Sequence, residues 1–301
     1  MAKRKRGVIG AMNKQSLRAA IAREIPFLFS LPALVWLIAF LCVPIVILGY
    51  LSVATSVYPF ISLQKYVHMF DMVHVRIITR SLLLSFCTVA TCLLCAYPIA
   101  YFIVIKSGRW KNLFLFFLMI PLWTNFLIQV YGWFFILERN GLINSLLLKI
   151  GIIKDPLYLS NNLFSIFVVM VYCYLPFMIL PLYTILEKLN LQLLEASADL
   201  GASAWQTFTR ITLPLSMPGI RTGVLLTYVL SFGEFAIPTL VGGGKYMMVG
   251  NLISYYFLVM RDISLGSAFT LVSGMVLLSI TSFLYWYLGK WCLEDSSGAD
   301  V

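Results

Sequence analysis

The chain has 301 residues, 61% of them hydrophobic and 11% charged, and carries 22 Lys and Arg against 12 Asp and Glu, a formal net charge of +10. A mean hydropathy of +0.92 lies far outside the range of soluble domains and reads as an integral membrane protein. No segment alternates apolar and polar residues as a strand would, so a bundle of membrane-spanning helices is expected rather than a barrel.

The chain opens on a basic tail, residues 1–26, that includes Lys3-Arg4-Lys5-Arg6. The apolar run after Pro26 is too long for the core of a cleaved signal peptide and reads as a retained first span, Phe27 to Val53. Further spans are expected at Ser81 to Ile105, Leu113 to Leu137, Leu163 to Leu186, Gly219 to Val241 and Leu265 to Trp291. Each has about 20 residues or more, enough at about 1.5 Å per residue to cross a hydrocarbon core of about 30 Å. The expected organisation is one six-helix domain over residues 27–291 between the basic tail and a short C-terminal tail, 292–301.

In the second span Cys92 and Cys95 have C-x-x-C spacing, but neither His nor Asp lies near them in sequence. With only His68 and His74 elsewhere, packing is the expected role of the cysteines, and no metal site is expected. The third span carries Trp123, Asn125, Gln129, Tyr131 and Trp133. Asn125 and Gln129, four residues apart, fall on one helix face. They read either as hydrogen-bonding links between helices or as lining of a pathway, and the aromatic residues either as an interfacial belt or as ring faces for an ammonium group.

After the fourth span comes a polar stretch, residues 187–218. Glu187 to Leu200 permits a helix, and Gly201 stands where a left-handed residue ends one. Ser203 and Gln206 have capping-box spacing for a second short helix with Trp205, Phe208 and Ile211 on one side, which Pro214 is expected to stop. The product is a compact knob with an aromatic ridge, suited to a groove on a partner.

Glu234 lies within the fifth span between Gly233 and Pro238, which invite a broken helix. An ionisable group there is costly and faces a cavity or a partner; a structural hydrogen bond is the alternative to a place in a pathway. Gly242-Gly243-Gly244-Lys245 lacks the first glycine and the Ser/Thr of a phosphate loop, so nucleotide binding is not expected, nor any other cofactor.

With an even number of spans and the N-terminus inside, 14 of the 22 Lys and Arg fall on the cytoplasmic side, so both termini are expected there. The net charge is then explained by topology and by attraction to anionic lipid, and nucleic acid is not an expected partner.

Glu195-Ala196, Gly201, Ile211, Leu213 and Pro214 together resemble the EAA loop of bacterial ABC-importer permeases, with Ser197 in place of the second Ala. The resemblance implies that Glu195, Ala196, Gly201, Trp205, Phe208, Ile211, Leu213 and Pro214 form a cytoplasmic coupling element for an ATPase subunit. Pro121–Trp133, Asn140–Leu157, Tyr174–Leu189 and Gly233–Gly244 look together like the PotB-type permeases of spermidine/putrescine importers, although Gln129 stands where that family frequently has arginine. That likeness implies a type I importer fold in the bacterial inner membrane, a second homologous permease, a pair of ATPase subunits and an extracytoplasmic polyamine-binding protein. From the intramembrane charge and the polar and aromatic residues of the third span, Glu234, Asn125, Gln129, Trp123 and Tyr131 are the expected pathway residues. A permease for another solute, a six-span channel and an intramembrane enzyme are the alternatives; the last would require a catalytic constellation that is not visible in the sequence.

Overall fold

The computed structural model describes residues 31–54 and 64–297. The chain divides into two compact units, Met1–Ser62 and Leu63–Val301. In the first, α1 runs from Leu31 to Val53, 23 residues of mean hydropathy 2.8. The start of the expected first span, residues 27–30, the basic tail and the end of the C-terminal tail lie outside the described residues.

In the second unit a short α2 (Gln64–His68) precedes α3 (Met72–Tyr101), which a π turn at Phe102–Lys106 prolongs into a 35-residue membrane helix. This helix starts nine residues before the expected Ser81, because Met72–Arg80 continues the helix outside the apolar run. α4 (Lys111–Trp123) and α5 (Phe126–Leu137) follow, then α6 (Leu142–Ile150), which Gly151 ends at φ 77°. α7 (Leu163–Leu186) is capped by Asn162 and Ser165, and α8 (Leu191–Asp199) by Asn190. α9 (Ala204–Thr207) runs through a π turn at Phe208–Thr212 into α10 (Leu213–Phe232). α11 (Ala236–Leu240), α12 (Val249–Ser254) with its own π turn, and the long α13 (Ile263–Ser297) complete the unit.

The fourth and sixth spans fall where expected, but the third and fifth need correction. The Leu113–Leu137 span is not one helix: the chain breaks at Thr124–Asn125 and turns through 93°. The fifth span ends at Phe232 rather than Val241 and begins as early as Ala204. Pro214 does not stop the short helix; it sits in the first turn of α10, where a residue without an N–H is tolerated and the preceding π turn alters the hydrogen-bond register.

α7 is the central helix, half of its apolar window buried, and it packs against α3 and α10. Small residues permit the approach. On α3, Cys92, Ala96 and Ala100 are wholly buried at four-residue intervals. On α10, Gly219 and Gly223 form a G-x-x-x-G pair: a Cβ on Gly219 would lie 3.0 Å from the Pro181 carbonyl, and one on Gly223 2.7 Å from Met178 Sδ. Met178 is itself fully buried and has nowhere to yield. Gly223→Leu is therefore expected to cost about 1–3 kcal/mol by overpacking. Its thermal midpoint in detergent should fall below that of Gly274→Leu, since nothing lies within 4 Å of a Cβ on Gly274. Equal midpoints for the two variants would remove the close α7–α10 contact.

Candidate functional site

The segment after α7 forms the expected helix, glycine turn and short helix, with α8 starting at Leu191 rather than Glu187. Asn190 Oδ1 accepts from Gln192 N at 3.0 Å and sets that start. At the other end Gly201 takes φ 78°, its N–H donates to Ala198 O at 2.9 Å and Ala202 N to Ser197 O at 3.0 Å. This pair of bonds is the Schellman arrangement, which requires a left-handed residue at that point. Ser203 and Gln206 then cap each other's backbone: Gln206 N donates to Ser203 Oγ and Ser203 N to Gln206 Oε1. Ser197, in place of the family alanine, is buried and its hydroxyl lies 2.8 Å from Thr207 Oγ1, tying α8 to α9.

The eight residues expected to form the knob divide by direction. Glu195 and Ala196 are exposed, as is Trp205 at 71%. Leu200, adjoining the turn, is 88% exposed and adds an apolar side chain to this outer face. Phe208 instead faces inward: its ring stacks on Trp205 at 5.6 Å and meets Tyr97 of α3 edge-on at 5.4 Å. Tyr97 in turn lies 2.9 Å from Ser216 Oγ on α10. Leu213 packs on the core, and Ile211 and Pro214 are half-buried. At the same end of the bundle Lys111 Nζ donates to Glu187 Oε1 at 2.9 Å, and the ammonium holds that carboxyl below its usual pKa. The pair is exposed and contributes little to stability.

Gly201→Val places a β-branched residue in the left-handed region; no atom lies within 4 Å of the new Cβ, so the cost is backbone strain alone. That strain is about 1–2 kcal/mol. Membrane insertion should persist while ATPase association and uptake both fall; normal values of both would count against the turn as a docking device.

The second region is formed by the two helix breaks. At the first, Asn125 caps α5, its Oδ1 accepting from Leu127 N at 2.9 Å and Ile128 N at 3.3 Å. Gln129 Nε2 donates to the carbonyl of Pro121 and to both the carbonyl and hydroxyl of Thr124. These two amides satisfy backbone groups that the 93° turn leaves without helical partners. Trp123 and Tyr131 are exposed.

At the second break Glu234, 6% exposed, is the one carboxylate buried in the bundle among the described residues. Its Oε1 accepts from Ala236 N at 2.7 Å and Ile237 N at 3.1 Å, and its Oε2 from the hydroxyl of Tyr174 on α7. α12 closes on this break: a Cβ on Gly250 would lie 2.4 Å from Gly233 O, and Asn251 Nδ2 donates to Phe235 O at 2.8 Å and Thr239 Oγ1 at 2.6 Å. A cleft of about 200 Å³ opens beside it, lined among others by Thr239, Tyr246, Asn251, Ser254 and Tyr255. α11 packs against α5, so the two breaks are neighbours, but no hydrogen bond or ring contact among the described residues joins Glu234 to Asn125, Gln129, Trp123 or Tyr131. Tyr174, Gly250 and Asn251 were not apparent from the sequence; only the polar Gly250-Asn251 pair in an apolar stretch could have signalled them.

A helical bundle with two broken helices and a protruding helix–turn–helix is an arrangement that membrane transporters use. Residues 92–291 match the family described as binding-protein-dependent transport system inner membrane component, and the chain belongs to that family. It is the membrane-spanning permease of an ABC importer, whose ATPase is a separate subunit.

The chain is 37% identical over 260 residues to the spermidine/putrescine transport system permease protein PotB of Haemophilus influenzae, covering 85% of this chain and 91% of that one. It is 36% identical to PotB of Escherichia coli, covering 83% and 93%, and 32% identical to the inner membrane ABC transporter permease protein YdcU of the same organism, covering 76% and 77%. A bacterial ABC transporter involved in import of the acidic polysaccharide alginate has the same fold, with a TM-score of 0.69 at 20% identity over 91% of this chain and 98% of that one. The alginate transporter has also been solved in complex with an alginate pentasaccharide-bound periplasmic protein, again at a TM-score of 0.69 and 20% identity, over 88% and 94% of the two chains.

Proposed function

We propose that this permease imports polyamines of the spermidine and putrescine class, delivered by an extracytoplasmic binding protein, in an importer completed by a second related permease and two ATPase subunits. The observation that carries this reading is the 36–37% identity, over 83–85% of the chain, to relatives named as spermidine/putrescine permeases. The chemistry of the bundle agrees with it, since a buried carboxylate suits a cationic solute. The route is assigned to the two neighbouring helix breaks, with Glu234 at one and Asn125, Gln129, Trp123 and Tyr131 at the other. Broken helices within a bundle are the geometry by which transporter backbones line a pathway.

The permease domain is taken as residues 27–291 with both termini cytoplasmic, a reading supported by the placing of 14 of the 22 Lys and Arg. The Lys111–Glu187 pair agrees with the order of the spans, because it joins two loops assigned to the same side, whichever side that is. On that side the outer face of Glu195, Ala196, Leu200 and Trp205 meets the ATPase. Cells lacking the gene should lose uptake of labelled spermidine or putrescine and regain it on complementation. Unchanged uptake of both, with loss of a different solute, would remove the polyamine reading and leave the permease standing.

A further inference from the structure

α3 reaches well beyond its apolar run at the end of the bundle opposite the coupling loop. Lys106, the basic residue that closes the other end of this helix, lies 26 to 30 residues from Arg80 and Arg76. At about 1.5 Å per residue the separation is about 39–45 Å, the thickness of a bilayer with its headgroup layers. The two arginines therefore stand at the headgroup level of the opposite interface, one helical turn apart and on one face. Arg76 is exposed, and the Arg80 guanidinium lies 5.6 Å over the ring of Tyr246, which fixes its direction. Among the described residues neither forms a salt bridge to a carboxylate.

Both line a cavity of about 480 Å³. Thr79 lies between them, and deeper along α3 the walls are Leu83, Leu84 and Cys87, with Leu163 at the start of α7 opposite. Met72 and Val75 complete the lining on the outer side, so the two arginines divide the groove, and its membrane half is the apolar wall of Leu83, Leu84 and Cys87. A polyamine would be repelled by the paired guanidiniums, so this groove is no part of a cationic pathway. An amphiphile with an anionic head and an alkyl tail fits both halves.

We propose that Arg76 and Arg80 hold the phosphate of an anionic phospholipid, one acyl chain of which lies in the groove along Leu83, Leu84 and Cys87. The guanidiniums supply paired donors for phosphate oxygens, and the tail covers apolar surface that this unit leaves open. The site takes phosphatidylglycerol or another lipid of that charge in preference to phosphatidylcholine. It does not depend on which solute the importer carries.

The test uses the assembled importer in nanodiscs of phosphatidylcholine with and without phosphatidylglycerol, with retained lipid counted by native mass spectrometry. Phosphatidylglycerol should be retained selectively. Each of Arg76→Gln and Arg80→Gln should weaken retention about fivefold, the factor equivalent to about 1 kcal/mol per basic residue near an anionic membrane surface. Cys87→Trp leaves both charges in place and fills the groove, and should also lose the lipid; Leu83→Trp serves if that variant is unstable. Thermal midpoints near the parent's show that the fold is kept. Retention unchanged in the arginine variants, or equal for the two lipids, overturns the proposal. Displacement by soluble glycerol phosphate at the same concentration as the lipid overturns it in favour of a small-anion site. Cross-linking of Cys87 to the second permease overturns it in favour of a subunit interface.

Discussion

Glu234→Gln is expected to abolish or greatly slow polyamine uptake by an importer that still assembles and hydrolyses ATP. The carboxylate accepts from two backbone amides at the start of α11 and from the Tyr174 hydroxyl. A glutamine oxygen can keep the two amide bonds, and its NH2 can donate to the Tyr174 hydroxyl, which reorients to accept. The hydrogen bonding thus largely survives the substitution; the charge does not. An ammonium group leaving water needs an opposite charge to offset its desolvation, and an amide supplies only a hydrogen bond. Glu234→Asp keeps the charge one methylene further back and should retain part of the uptake.

Tyr174→Phe separates the two roles open to this residue. It removes a donor to Glu234 and leaves the charge, so a carboxylate acting on the solute keeps most of its effect. A carboxylate that only holds α11 in place would instead leave Glu234→Gln near parental stability and uptake, while Tyr174→Phe, which removes a partner of the buried oxygen, would lose stability by about 1–3 kcal/mol. Parental uptake by the Gln variant would assign Glu234 to structure and leave cation binding to the partner permease.

Trp205→Ala is expected to weaken association with the ATPase subunit by about 2 kcal/mol or more, the effect of removing an interface anchor, which is about a thirtyfold loss of affinity. Phe208→Ala should behave differently, although the two residues stack. Trp205 is exposed and available to a partner, whereas Phe208 is held between Trp205 and Tyr97. Its loss should lower the thermal midpoint of the permease alone, and association only indirectly. Binding measured by titration of ATPase against detergent-solubilised permease, alongside melting, resolves the two. Parental affinity of the Trp205 variant would turn the aromatic ridge away from the partner.

Most of the helix bundle was legible in the sequence because membrane spans are read from the length of apolar runs, and Leu163–Leu186 agrees at both ends. The glycine turn at Gly201 and the Ser203–Gln206 cap were legible as well, since each rests on a few adjacent residues with local geometry. Hydropathy is blind to direction, and so the turn at Thr124–Asn125 was hidden inside an apolar run that looks continuous, whereas the break at Gly233–Phe235 was signalled by Gly233 and Pro238 beside an intramembrane charge. Asn125 and Gln129 are the instructive pair. Their spacing predicted a shared face on an unbroken helix, but both serve the backbone at a break, a role that depends on carbonyls the sequence does not reveal. Pro214 failed as a stop signal for a related reason: whether a proline ends a helix or begins one depends on the hydrogen-bond register before it. Tyr174 as a partner of Glu234 is a contact across 60 residues, beyond any local rule.

The continuity of α9 with α10 makes the proposed coupling element one end of a lever. Ala204–Phe232 is a single 29-residue helix, about 43 Å of rod at 1.5 Å per residue, with Trp205 near one tip and the Glu234 break just past the other. Its tightest contact with α7, at Gly219 and Gly223, lies near the middle. On the proposed coupling role, a rod pivoting there has arms of about 24 Å toward Trp205 and about 17 Å toward Phe232, so a push of about 3 Å at the Trp205 tip reappears as a swing of about 2 Å in the opposite sense beside the buried carboxylate. Such a seesaw needs no relay of side chains: its gain is a little below one, and its sign is reversed.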